Sequence, residues 1–308
     1  MLGFYLSAFS PILGARKLYD PDGNIVSTTG SLTEGLNEGI ALAIANKFPF
    51  KAFAGGPTVN LDTYLTIQPC GNADIDLGTI DLLATPSCNG PGLYMSSFNG
   101  GRFSHKGRFR YNGTGTAGYY IAPAANDPFY GQKIIQNAKI EFGWLQLNSQ
   151  VGQGILLDPS QGSIIQNDIN YGVVQGWNGQ ANLCAAAVYV GSVPNGTFGF
   201  NENHNVINQV IGYTDTAVQI GTGSPNDLYI GDNDWLIESN PTGINGQAPV
   251  MVKTYASYDC IRGAHTIYTG ASPHSIVFLG SANHNRHQLR QDTSAGGVQN
   301  NSLANVAF

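Results

Sequence analysis

Lys133–Gly143 reads KIIQNAKIEFG, and Ser163–Gly172, starting 30 residues later, reads SIIQNDINYG. Each opens on a pair of isoleucines, passes through Gln-Asn and continues with alternating apolar residues. Strand side chains point to opposite faces in turn, so the alternation of Ile140, Phe142 and Trp144 predicts a half-buried strand with all three in the core. Asn137 and Asn167 sit where a tight turn needs a residue that tolerates left-handed backbone or bonds its own chain. Stacked, the two would begin an asparagine ladder; unstacked, they are two separate turns. Looser echoes follow, NVINQVIGY from Asn205 and DLYIGDNDW from Asp227. Self-similarity at an irregular interval fits stacked strand-and-turn coils with loops of varying length.

Around this phrase the pattern persists. Short apolar runs such as Ala73–Leu83, Gly154–Asp158, Ala186–Val190, Ala217–Ile220 and His274–Leu279 are separated by Gly, Asn, Pro and Ser. The 40 glycines among 308 residues supply turn positions, and the 42% hydrophobic content supplies a core. A β-sandwich would instead return its strands through two-residue Asn-Gly hairpins. Asn-Gly does occur, at Asn89, Asn99, Asn112, Asn178, Asn195 and Asn245, but the internal echo favours a parallel stack. One helix stands out at residues 31–46, SLTEGLNEGIALAIAN, with Leu32, Leu36, Ile40 and Ile44 on one face. Ser31 or Thr33 can cap it, and it reads as a plug for the open end of a stack. This divides the chain into an N-terminal arm (1–30), the coils with their capping helix (31–285) and a C-terminal tail (286–308).

A capping helix, the Gly55-Gly56 turn, LTIQPCGNADIDLGTIDL from Leu65 and irregular coils after it resemble the pectate-lyase-like β-helix superfamily over residues 20–285. Within that superfamily the layout is similar to the tailspikes and polysaccharide depolymerases of bacteriophages. The resemblance implies an all-β, single-stranded, right-handed parallel β-helix. It also implies a homotrimer, an extracellular or virion-associated location, and a bacterial surface or extracellular polysaccharide as partner.

The net charge of −6 gives no broad basic surface for nucleic acid, and no apolar stretch approaches a membrane-spanning length. Cys70, Cys88, Cys184 and Cys260 are far apart, without zinc spacing, and read as small core residues; only Cys70 and Cys88 are near enough in sequence to suggest a bridge. Between Tyr111 and Cys260 there is no arginine, and three lysines face eleven acids. An eliminating lyase needs cations or a metal to neutralise a uronate carboxylate, so this stretch speaks against a calcium-free lyase. It leaves glycoside hydrolysis by two carboxylates. The candidates are Asp232 and Asp234 in GDNDWLIES, which a strand would turn to one face, and Glu202 in NENH. Trp177 and Trp235 are candidate sugar-stacking rings, with Glu238 and Arg108 as further substrate contacts. Arg108 belongs to GRFSHKGRFRY, where Arg102, Ser104, Lys106, Arg108 and Arg110 share one parity and Phe103 and Phe109 the other. That basic face suits an anionic glycan or the acidic wall of a neighbouring subunit. The bland reading of all these acids and bases is solvated surface. No cofactor is required, although Asp232 and Asp234 could hold calcium in a calcium-dependent lyase. A non-catalytic glycan-binding or structural β-helix is the remaining alternative.

Overall fold

The computed structural model describes residues 3–7, 10, 15–28, 33–53, 55–127, 131–148, 152–176, 185–192, 201–212, 215–224, 227, 231, 233–239, 250–265, 272–280, 282, 284–291, 295–300 and 306–307. Their strands form two long sheets. In the first, Phe4–Leu6, Phe50–Ala52, Cys70–Gly78, Phe98–Tyr111, Ile134–Leu147, Ser163–Asn170, Asn201–Ile211, Asp234–Ser239, Cys260–His265, Arg286–Gln291 and Val306–Ala307 lie side by side in that order, all parallel. The second is parallel throughout: Leu65–Ile67, Leu93–Met95, Ala117–Ile121, Gln153–Leu157, Ala186–Val190, Thr216–Ile220, Val250–Thr254, Ser272–Phe278 and Ala295–Asn300. Parallel neighbours cannot be joined by a hairpin. Here the chain crosses from one sheet to the other and back, so both sheets grow with each circuit; Val59–Leu61, Leu82–Ala84 and Val173–Gln175 are further parallel strands of the first sheet.

The register stacks like on like. Phe50, Ile75, Phe103, Ile140 and Ile169 form one inward column of the first sheet. Leu93, Tyr119, Ile155, Val188, Val218, Val252 and Ile276 form one in the second. All are buried. Burying such side chains contributes roughly 1.5–3 kcal/mol each before the entropy of ordering is set against it.

A column of left-handed residues makes the bend in six of the coils. Asn72, Gly100, Asn137, Gln166, Tyr258 and His284 all have φ between +52° and +69°. Each precedes a residue of the next column: Ala73, Gly101, Ala138, Asn167, Asp259 and Asn285. From Asn167 upward that column is a hydrogen-bonded ladder. Asn167 Oδ1 accepts from the Ala138 amide at 3.0 Å, Asn203 Oδ1 from the Asn167 amide at 3.2 Å, and Asn233 Oδ1 from the Asn203 amide at 3.1 Å. Asp259 Oδ1 then accepts from the Asn233 amide at 3.0 Å, and Asn285 Oδ1 from the Asp259 amide at 2.8 Å. The two asparagines of the repeated phrase therefore do not share a column. Ile135 pairs with Ile164 and Ile140 with Ile169, a register of 29 residues, so Asn137 is the left-handed residue of its coil and Asn167 is a rung.

The helix spans Leu36–Asn46, starting later than its sequence pattern predicts. Gly35, not Ser31 or Thr33, is its N-cap; Thr33 Oγ1 accepts from the Asn37 amide at 3.3 Å. Leu36, Ile40 and Ala43 face the core. Asn37 finishes the edge of the second sheet, donating to Tyr64 O at 3.0 Å and accepting from the Thr66 amide at 2.8 Å. Edge groups that would otherwise recruit another strand are thus paired. The described part of the N-terminal arm is built onto the first sheet: Phe4–Leu6 also pairs antiparallel with Lys17–Tyr19, which pairs antiparallel with Ile25–Thr28. Beyond residue 285 strands still join both sheets.

The long strands turn a corner at glycines, and this reverses one expectation. Lys106 and Gly107 lie opposite Gly143 alone, since His105 pairs with Phe142 and Arg108 with Trp144. A Cβ on Gly143 would stand 2.4 Å from Gly107 O, so only glycine fits. The corner shifts the alternation by one residue. Phe142 and Leu145 are buried, while Trp144, expected in the core, is 38% exposed.

Candidate functional site

On the outer wall of the first sheet one column runs Asp74, Arg102, Lys139, Asp168, His204, Asp234, Cys260, Arg286. Adjacent members are about 4.8 Å apart, the strand spacing. Its middle lies in a groove of ≈ 610 Å³ whose lining includes Asn137, Lys139, Gln166, Asp168, His204 and Asp234. His204 is central: Nδ1 is 3.4 Å from Asp168 Oδ1, and Nε2 is 3.6 Å from Asp234 Oδ2. Arg262 Nη2 donates to both oxygens of Asp234, at 2.8 and 2.6 Å. That hydrogen bond, together with the Asp234 charge, raises the guanidinium above its ordinary range. Cys260, next in the column, is no nucleophile of the thiolate kind: burial first, then the Asp234 charge, pushes its thiol up.

The sequence candidates separate in three ways. Asp234 lies in the groove. Glu238 is exposed on the same face of its strand, but further along it. Trp235 points the other way: it is fully buried and stacks on Tyr171 with ring centroids 6.2 Å apart. The expectation of a sugar-binding Trp235 is therefore corrected. Alternation sends residues 234, 236 and 238 outward and 235 and 237 inward, and a large apolar ring takes the core position. Asp232 and Trp177 lie outside the described residues. Glu202 stands on the strand Asn201–Ile211 beside Ile165, and its side chain lies outside the described set. The acid that accompanies Asp234 here is Asp168, from two coils away, through His204.

No family model matches the chain, no curated protein matches it, and no solved structure matches its fold.

The basic strand finds its acidic wall inside the same chain. Arg102 lies 3.8 Å from both Asp74 and Glu141, and 3.9 Å from Asp76. Lys106 and Lys139 reach Glu141 at 3.7 and 3.5 Å. Burial would raise the Glu141 carboxyl, but the Ser104 hydroxyl and the lysine charges outweigh it and hold the group low. Arg108 and Arg110 converge on Asp81 at 3.3 and 3.1 Å. The stretch between Tyr111 and Cys260 is poor in cations, yet its wall is not, because register sets Arg102 beside Lys139 and places Arg262 on Asp234. The charge argument against a lyase loses its force for this reason.

Cys70, Cys88 and Cys260 are free thiols. Among the described residues no group of three or more His, Cys, Asp or Glu could hold a metal ion, and no helix is long and apolar enough to cross a membrane. Asp168, His204 and Lys139 do not stand out as a set in the sequence. A signal existed: Asn167-Asp168, Asn203-His204, Asn233-Asp234 and Asn285-Arg286 each join a ladder rung to an outward polar residue.

Proposed function

We propose that this chain is a right-handed parallel β-helix that binds a bacterial surface or extracellular polysaccharide along the outer wall of its first sheet, as bacteriophage tailspikes do. The groove carries the reading. Charged groups recur at the strand spacing beside the amides of Asn137 and Gln166, a rigid row suited to the repeating hydroxyls of an extended glycan. The right hand is supported by the strong bias of parallel-strand crossovers. An extracellular or virion-associated location and a homotrimer belong to the same reading, and light scattering on the intact chain tests the trimer.

Cleavage in the same groove is a second reading, favoured by one observation. Asp168 and Asp234 are two strand spacings apart, about 9.6 Å between backbones, near the roughly 6.5–9.5 Å between carboxyl groups of an inverting hydrolase; the His204 ring lies between them and must swing aside to admit the attacking water. Asp234, which accepts from Arg262, is the base, and Asp168, on the far side of His204, is the acid. The test is incubation with a panel of bacterial capsular and O-antigen polysaccharides, measuring retention and new reducing ends. Asp234→Asn and Asp168→Asn should each cut reducing-end release by about 100-fold or more, with Glu202→Gln and Asp232→Asn run alongside. Retention without product release in the wild type assigns a pure binder. Chelator-sensitive release of unsaturated, ultraviolet-absorbing ends assigns a calcium-dependent lyase instead. Full activity in both groove variants ends the two-carboxylate assignment.

A further inference from the structure

We infer that Trp144, framed by Arg108 and Gln175, is a separate sugar-stacking subsite beyond the glycine corner from the groove. The inference rests on the glycan reading above and names a second contact point for the same polymer. Trp144 is the one exposed tryptophan among the described residues, at 38%. Its ring does not float. The indole N–H donates to Gln175 Oε1 at 3.1 Å, which fixes the edge. The Arg108 guanidinium lies 5.7 Å from the ring centroid and is itself held by Asp81, with Nε and Nη2 donating at 3.4 and 3.3 Å. Burial would raise the Asp81 carboxyl, but hydrogen bonds from Arg108 and Thr58 and the charges of both arginines keep it low. The anchoring charge is therefore present at neutral pH.

This surroundings chemistry decides the class of ligand. Register sets Val173 next to Trp144, and Arg110, Gln146 and Gln175 in a line beside it. A partner protein's apolar side chains would want a broad apolar patch. A single rigid indole ringed by amides and guanidinium groups suits a ligand that offers a C–H face and hydroxyl or carboxylate groups together. A pyranose, neutral or acidic, has that form. The side chains are ordered before binding, so little rotamer freedom remains to be lost.

The test is affinity electrophoresis of the intact chain through gels containing each member of a panel of bacterial capsular polysaccharides, with Trp144→Ala, Trp144→Phe, Gln175→Ala and Asp234→Asn compared against wild type. Trp144→Ala should weaken retention about tenfold. Trp144→Phe, which keeps an aromatic face, should stay within about threefold of wild type, and Gln175→Ala should fall between them. Thermal melting of each variant checks that the fold is intact. If Trp144→Ala is retained like wild type while Asp234→Asn is not, the subsite is overturned and the groove stands. If Trp144→Ala is weakened and Asp234→Asn is not, the groove reading fails and the subsite remains. A wild-type chain that no polysaccharide retards overturns both.

Discussion

The bend column of the first sheet is built in two ways. In the lower coils it is Ala73, Gly101 and Ala138, small residues that let successive backbones come close. In the upper coils it is Asn167, Asn203, Asn233, Asp259 and Asn285, whose side chains replace the missing backbone partners. The same bend is thus held by lack of side chain in one half and by a hydrogen-bonded side chain in the other. The outer wall changes with it. Below the switch, arginines and lysines are neutralised by Asp74, Asp76, Asp81 and Glu141. At the switch and just above it, Lys139, Asp168, His204 and Asp234 occupy an open groove. The candidate site lies where one solution gives way to the other.

Removing a rung should break the upper half most severely. Asn203 accepts from the Asn167 amide and from its Nδ2 (2.8 Å), and donates to Ile164 O at 2.9 Å. Asn203→Ala leaves several buried polar groups unpaired, and a urea melt should show a loss of about 4 kcal/mol. In the lower half the largest effect should come from acid. His105 is fully buried, with Nε2 2.8 Å from Ile80 O and Nδ1 3.2 Å from the Tyr119 hydroxyl. Burial lowers its pKa from 6.5 to about 4. Between those values the unfolded chain binds a proton that the folded chain refuses, so stability is complete above about pH 6.5 and falls as the pH drops toward 4. The loss is about 3 kcal/mol. Urea melts at pH 7 and pH 4 should show that difference shrinking in His105→Gln; an equal slope in both proteins would remove His105 as its source.

Adding a side chain should harm the lower half where removing one harms the upper. Gly101 has φ +90°, and a Cβ there would stand 2.2 Å from Ala73 O. Gly101→Ala should cost about 2 kcal/mol by the same melt. Asp81→Asn should cost least, about 1 kcal/mol, because the Arg108 and Arg110 pairs are partly exposed. It should also free Arg108 to leave the Trp144 ring, which indole fluorescence would register as a changed emission.

Much of the fold was legible. Alternation and the echoed phrase indicate parallel coils, and the apolar face of residues 31–46 indicates a cap, because burial acts on side chains at fixed periods. The candidate site is half legible. The acidic phrase GDNDWLIES points to Asp234, which lines the groove, whereas the sequence places Trp144 inside and Trp235 outside, the reverse of the structure. Parity along a strand is a local rule, and it failed for Trp144 at Gly143, where a corner inserts an uncounted step. Its acidic neighbours suggest a surface Trp235, although alternation by itself turns it inward.

What the sequence determined by itself is which residues can be buried and which can turn: the apolar alternation, the left-handed positions open to Asn and Gly, and the capping helix. The tertiary structure alone decided register. A 29-residue offset, not the 30 of the echo, makes Asn137 a turn and Asn167 a rung, and it lines Asp168, His204 and Asp234 along one groove. The reason is that parallel coils are locked by inward side chains stacking in contact across strands, and the outward residues follow wherever that packing puts them.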